Sequence, residues 1–303
     1  HHLKKIGEIK MKKLICFEQY ILLINFENLP IFSLRLAEFK KIIPSRDRFW
    51  ADPFIVYEGG TYYIFVEEVV FPSRRGHISY ISLDANGHLS ASKIVIQQPY
   101  HMSYPFIFQY NGEYYMIPET SANRTIELYK CIGFPDKWEL STILMRDIVA
   151  ADATVFFREG QWWLYANISE NEGTPSNDEL FLYYTDDLFS GNWTPHQKNP
   201  IISDVNSSRP AGKIFYHEGT LFRPSQNSSK RYGYGLKINQ ITAVSATDYH
   251  EECVANIDPT GEGGIVAVHT LNFEHGLVVT DALLKRFRNP AEIIRLILRR
   301  CGF

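Results

Sequence analysis

Fifteen residues after Asp52, Tyr104, Asp152 and Ala211 the chain carries Glu67, Glu119, Asn167 and Gln226, a polar side chain each time. Packing alone would not place polar groups in one register four times over. Asp52, Asp152 and Glu119 are the carboxylates of chief catalytic interest, since such a group can take a proton from a hydroxyl or, protonated, give one to a leaving oxygen. Glu67, Asn167, Arg209, Arg223, Gln226, Arg231 and His269 supply the donors and acceptors that a polyhydroxylated ligand needs when it is buried. The arginines also suit a phosphate or carboxylate gripped by a planar fork. Trp50, Tyr104 and Tyr232 offer flat faces for sugar rings. Plainer readings stand beside these. Asp52-Pro53 reads as a strand-opening turn, Glu67-Glu68 as a solvated strand end, and His77, His101 and His269 as satisfied structural histidines. Arg209 would, on the same footing, simply pair with Asp152 and hold a scaffold together. No metal site is expected, because Cys16, Cys131, Cys253 and Cys301 form no CxxC pair and Asp186-Asp187 reads as a turn.

The elements that would gather these side chains are repeated. Five segments share a polar opening, an apolar strand, a Gly turn and an aromatic strand. They run DPFIVYEGGTYYIFVE from Asp52, YPFIFQYNGEYYMIPE from Tyr104, DATVFFREGQWWLYAN from Asp152, AGKIFYHEGTLFRPSQ from Ala211 and VHTLNFEHGLVVTDA from Val268. Their starts lie 52, 48, 59 and 57 residues apart, a period that predicts propeller blades. Gly59-Gly60, Asn111-Gly112, Glu159-Gly160, Glu218-Gly219 and His275-Gly276 carry the glycine of a tight hairpin. Further strands at 77–83, 125–131 and 180–186, with outer strands around Trp138 and Trp193, bring each blade to four. In such a ring the inner strands line a tunnel. Their openings and the ends of their antiparallel partners then share one rim. The fifth repeat departs: Leu283 stands at the counted position, and Asp281 is the nearest polar candidate. Residues 19–26, QYILLINF, have no blade of their own and are expected to complete the last blade and close the ring.

The expected fold is therefore all-β: a five-bladed β-propeller over residues 11–288 with a short C-terminal α-helix over 289–303. Residues 1–10 read as a tag or disordered extension, with Met11 as the native start. The chain is 45% hydrophobic and 14% aromatic with a net charge of −3, which excludes both a basic nucleic-acid footprint and disorder. The apolar stretch from Leu14 to Phe26 is broken by Glu18 and Gln19, so no signal peptide is expected, and no run is long enough to span a bilayer. The expected location is the cytoplasm. Asn289, Pro290 and Glu292 form a helix-starting signal. Beyond it Ile293, Ile294, Leu296, Ile297 and Leu298 alternate with Arg295, Arg299 and Arg300. Such a helix either docks on the propeller or touches the anionic inner face of a membrane as a peripheral contact.

The motifs FWADPF (49–54), SYPFIF (103–108), MIPET (116–120), SRPAGKIF (208–215) and FRPSQ (222–226) carry a family resemblance. Over roughly residues 45–285 the chain resembles the N-terminal propeller domain of plant glucosamine inositolphosphorylceramide transferases and its bacterial relatives. More distantly it is similar to the five-bladed propellers of glycoside hydrolase family 43. The family 43 resemblance implies Asp52 as general base on water, Asp152 as pKa modulator, and a glutamic acid opening the fourth inner strand. Here that position falls in Ser208-Arg209-Pro210-Ala211-Gly212, without a carboxylate, and Glu119 from another blade is a candidate to substitute. Inverting hydrolysis needs two carboxyl groups across the bond. Transfer from a nucleotide sugar needs charge stabilisation at the leaving diphosphate, which Arg209, Arg223 and Arg231 would supply while Asp52 or Asp152 takes the acceptor proton. The expectation is thus a carbohydrate-active glycosyltransferase, or a component of one, in surface polysaccharide or glycolipid synthesis. It would use a nucleotide-sugar donor and no cofactor, with no nucleic-acid partner. A family 43-like hydrolase and a non-catalytic sugar-binding domain are the alternatives, the more so because the plant proteins' transfer chemistry is expected in a separate C-terminal domain.

Overall fold

All five Gly turns take positive φ at both central residues, from Gly59 (56°) and Gly60 (81°) to His275 (45°) and Gly276 (80°). That is the turn whose twist matches a right-handed hairpin, and glycine at its second position meets no steric cost. The structure is a computed structural model that describes residues 15–26, 31–169, 178–259 and 261–300; the extension expected over 1–10 and the start at Met11 lie outside the described residues. Each turn joins the two inner strands of a blade. The first blade is Arg48–Glu58, Thr61–Val70, Gly76–Leu83 and Lys93–Ile96; the second is Ser103–Tyr110, Glu113–Thr120, Thr125–Gly133 and Lys137–Arg146. The third runs Ala150–Arg158, Gln161–Ile168, Glu179–Thr185 and Thr194–Pro195, with Ile202–Ser203 beside its third strand. The fourth is Phe215–His217, Thr220–Asn227, Gly235–Val244 and Tyr249–Ile257.

The fifth blade is made from both ends of the described chain. Leu271–Glu274 and Leu277–Phe287 form its inner hairpin, and Cys16–Asn25 then pairs antiparallel with Leu277–Phe287 from Cys16↔Phe287 to Asn25↔Val278. Residues 19–26 thus close the ring as expected. Apolar side chains fill the gaps between neighbouring blades all the way round. Leu22 and Ile24 of the closing strand meet Ile55 and Ile64 of the first blade, and Tyr165 and Leu182 of the third meet Leu221 and Tyr249 of the fourth.

One irregularity recurs in three inner strands. Ala51 pairs with Glu67 and Phe54 with Phe65, so Asp52 and Pro53 together oppose one residue; Tyr104-Pro105 and Asp152-Ala153 do the same. These are β-bulges, and the first residue of each lies in the left-handed region: Asp52 at φ 51°, Tyr104 at 42°, Asp152 at 53°. Proline fits the second position, where no ladder hydrogen bond is made. Non-glycine residues rarely hold this conformation, and each costs on the order of 1–3 kcal/mol that the surrounding packing must offset.

After the last strand, Asn289 and Glu292 form a reciprocal capping box at 2.9 Å in both directions, starting the helix Pro290–Arg300. Glu292 also receives Arg46 in a bidentate pair at 2.7 Å, which ties the helix start to the propeller. Ile294 and Leu298 remain exposed. Among the described residues no helix is long and apolar enough to cross a membrane.

Candidate functional site

The bulges determine what converges on the tunnel. A left-handed residue turns its backbone N–H out of its own ladder, and a carboxylate from a neighbouring strand takes it up. Asp52 N–H donates to Asp281 Oδ2 (2.8 Å), Tyr104 N–H to Asp52 Oδ2 (3.2 Å) and Asp152 N–H to Glu119 Oε2 (3.3 Å). Each bond crosses from one blade to the next. The carboxylates are therefore latches of the ring as well as candidates for chemistry.

Two linked clusters result. In the first, Thr270 Oγ1 donates to Asp52 Oδ1 (2.7 Å), Asp281 Oδ1 accepts the backbone N–H groups of His269 and Thr270 (3.0 Å each), and His269 Nδ1 lies 2.6 Å from Asp281 Oδ2. Burial pushes the Asp52 carboxyl up to about 6 against the pull of His269, with Asp281 and Glu67 adding to the rise. Burial would lower His269, yet the Asp281 and Asp52 carboxylates more than offset it and hold the imidazole at about 9. Asp52, His269 and Asp281 each present an atom within 4.8 Å of the others, a spacing a metal ion can use. Their lone pairs are largely committed to one another and to backbone N–H groups, so the trio is a closed hydrogen-bonded unit.

In the second cluster Arg209 Nε donates to Asp152 Oδ2 (2.5 Å) and its NH2 group to Glu119 Oε2 (3.3 Å), while Gln226 Nε2 adds a bond to Asp152 Oδ2 (3.1 Å). Burial raises the Asp152 carboxyl well above the usual range despite Arg209, with Glu119 and Asp52 pushing the same way. Burial works against the Arg209 charge, but Asp152, Tyr232 and Glu119 hold the guanidinium more firmly protonated than usual. Its Cζ lies 5.1 Å from the Tyr232 ring, which is 47% exposed and meets His269 edge-on at 5.7 Å.

Of the residues expected at the rim, Asp52, Glu67, Glu119, Asp152, Arg209, Gln226, His269 and Tyr232 converge on this mouth. Glu67 accepts from His101 at 3.2 Å, and that bond raises the His101 pKa. Asn167 holds the matching register, paired with Ala151, and is fully buried with its amide turned to the Glu179 carbonyl. The structure corrects four placements. Trp50 packs between the fifth and first blades and donates to Glu68 (3.1 Å), so it offers no sugar platform. Tyr104 is wholly buried: its hydroxyl meets Thr154 Oγ1 and Gly212 N–H at 2.9 Å each, bolting the second blade to the third and fourth, and its ring has no free face. Arg223 is 1% exposed and locked in a bidentate pair with Glu251 (2.6 and 2.8 Å), so it holds a blade and no ligand. Arg231 is exposed and bound to Glu18 at 2.8 Å, which makes it a clasp to the closing strand. Sequence reasoning passed over Thr270 and Tyr20, the latter stacked on His269 at 4.7 Å, and named Asp281 only as a nearest candidate. The even spacing of Tyr20, Leu22 and Ile24 in the closing strand was the available signal.

Residues 34–264 match the family described as glucosamine inositolphosphorylceramide transferase 1, N-terminal. The chain is 32% identical over 206 residues to glucosamine inositolphosphorylceramide transferase 1 of Arabidopsis thaliana and 34% identical to that of Oryza sativa subsp. japonica. The match covers 67% of this chain and 27% of each relative, so the chain spans about a quarter of their length. Among solved structures it is similar to a family 117 glycoside hydrolase of the marine bacterium Zobellia galactanivorans. That match has a TM-score of 0.55 and 12% identity, covering 89% of this chain and 90% of the other. It is also similar to a family 43 β-xylosidase/α-arabinofuranosidase from a compost metagenome, with a TM-score of 0.56 and 12% identity over 80% of this chain and 92% of that one. At such identities these two likenesses speak for the fold alone.

Proposed function

Because the chain belongs to the family of glucosamine inositolphosphorylceramide transferase 1 N-terminal domains, we propose that its propeller is the sugar-binding unit of a glycosyl-transfer system in glycolipid or surface-glycan assembly. On this reading it holds a saccharide at the tunnel mouth and does not cleave it. Arg209 carries the argument. Where a hydrolase of this architecture would present a proton donor, this chain presents a guanidinium bonded to Asp152 at 2.5 Å and to Glu119 at 3.3 Å. Such a group gives up no proton to a leaving oxygen, and Asp52 and Asp152 are almost wholly buried. The half-exposed Tyr232, backed by Arg209, suits the apolar face of a pyranose, and the Glu67–His101 pair suits its hydroxyl edge.

Calorimetry with neutral oligosaccharides and nucleotide sugars tests this on wild type and Tyr232→Ala. Binding should weaken about tenfold in the variant, the loss of ~1.4 kcal/mol, without a change in melting temperature. Aryl glycosides should release no aglycone. Turnover that depends on Asp52, or saccharide affinity indifferent to Tyr232, would overturn the reading. A second reading, in which the propeller itself catalyses transfer, draws on the Asp52 carboxyl raised to about 6, close to where a general base operates best. Asp52→Asn that binds sugar but loses transfer would select it.

A further inference from the structure

Beside the mouth lies a cleft of ≈ 840 Å³ to which the reading above assigns no ligand. Its apolar wall is aromatic: Phe17 from the closing strand, Phe49 from the first blade and Phe71 just beyond that blade's second strand. Its polar wall carries Arg46, Arg74 and Arg288 alongside His101, Glu18 and Glu292. Three guanidiniums crowd the Phe17 ring: Arg288 at 4.8 Å, Arg46 at 4.9 Å and Arg286 at 5.7 Å. Like charges this close repel unless something compensates them.

Compensation among the described residues is incomplete. Both oxygens of Glu292 are taken by Arg46, and both oxygens of Glu18 by Arg231. Arg286 is bonded to Gln19, a neutral amide. Arg288 Nε is buried without a hydrogen-bond partner, and Arg74 makes no ion pair among the described residues. A chain of net charge −3 therefore sets two arginines, Arg74 and Arg288, at one aromatic cleft without an ion pair among the described residues. A buried charged donor left unpaired is costly, and an anion is the group that removes the cost.

We propose that this cleft binds a phosphate ester: phosphate on the arginines, with its apolar or aromatic substituent against Phe49 and Phe71. Planar forks match phosphate oxygens in pairs. The cleft shares walls with the mouth. Phe49 meets Tyr20 at 5.7 Å, Tyr20 stacks on His269, and His101 lines the cleft while bonding Glu67. A ligand with its sugar in the mouth can thus reach the arginines with its phosphate. The inference deepens the sugar-binding reading but stands on other residues. The same chemistry has two sources, the diphosphate of a nucleotide sugar and the phosphodiester headgroup of a lipid.

The test titrates the full chain with inorganic pyrophosphate, with uridine diphosphate, and with phosphatidylcholine vesicles containing phosphatidylinositol, each at low and high salt. At least one probe should bind, more weakly at high salt. Arg74→Gln and Arg288→Gln should each lower its affinity about tenfold, the loss expected for one charge-assisted hydrogen bond. Preference for uridine diphosphate over pyrophosphate assigns the nucleotide source, and binding confined to the vesicles assigns the lipid. Absence of binding by all three probes, or affinity unmoved by both substitutions, overturns the proposal. Arg74 is exposed, so its variant tests the site even if Arg288→Gln folds poorly. Tyr232→Ala separates the two readings: it should spare pyrophosphate binding while weakening saccharide binding, and each result stands whichever way the other falls.

Discussion

Replacing Arg209 by Met would expose how the centre of the ring is held. The Arg209 side chain is 9% exposed and bonds Asp152 and Glu119, whose side chains are 3% and 12% exposed. Met keeps much of the volume and removes the charge. Among the described residues Asp152 then retains only the Gln226 amide at 3.1 Å, and Glu119 keeps the Asp152 N–H and the Ser121 hydroxyl. Breaking a buried pair from one side costs about 3–5 kcal/mol, because the remaining charge stays desolvated. A domain has about 5–15 kcal/mol in total, so the variant should fold but unfold at markedly lower urea. Asp152→Asn in the same background removes the stranded charge, and the double variant should cost about 1–3 kcal/mol less than the two single losses added. The pH dependence has a definite sign. Without Arg209 the folded Asp152 carboxyl, already raised by burial, binds protons more readily than its unfolded counterpart at 3.8. The variant's stability deficit should therefore shrink as pH falls from neutrality toward ~4. A deficit under ~1 kcal/mol, the scale of an exposed pair, or a strictly additive cycle would refute the argument.

Two other expectations rest on separate observations. His269 titrates at about 9 in the fold against 6.5 unfolded, so its contribution is fully present below ~6.5 and is lost as pH rises through ~9. A separation of that size is worth ~3 kcal/mol. Urea midpoints measured from neutrality to about pH 10 should fall in wild type and hold nearly level in His269→Asn; equal slopes would sink the assignment. At the other end of the chain, exposed Ile294 and Leu298 give the C-terminal helix an apolar stripe. Cosedimentation with anionic vesicles should drop about tenfold in Leu298→Asp, since burying such a side chain is worth ~1.5–3 kcal/mol. An unchanged pellet fraction would leave the helix as a docked element only.

What was legible in the sequence was what chain-local chemistry decides. Asn111-Gly112 and its four counterparts announce tight hairpins because few other residues tolerate positive φ at both turn positions, and hairpins repeated at this period have few ways to pack. The rim register followed: Glu67, Glu119 and Asn167 do pair with Ala51, Ser103 and Ala151. Side-chain direction was harder. Arg223 lies three residues before Gln226, and an odd separation along a strand sends the two to opposite faces, so its place outside the mouth was readable by parity. Trp50 and Asp52 are two apart and should share a face, but the bulge turns Asp52 into the tunnel and leaves Trp50 between blades. Arg231 meets Glu18 across more than two hundred residues, which no local pattern reports.

The deeper ambiguity is why a rim residue is polar at all. Asp52, Asp281 and Glu119 are polar because a bulge frees a backbone N–H that some acceptor in the next blade must take. In sequence, that demand looks the same as a demand for catalysis. Glu67 and Tyr232 answer to no such N–H, whereas His101 Nδ1 accepts the Gly76 N–H at 2.9 Å and is in part a latch itself. If ligand binding is what this ring positions, substitutions at Glu67 and Tyr232 should lower affinity more than stability, and substitutions at the latches should do the reverse. The two kinds of polar residue at one rim thus separate by which measurement they move.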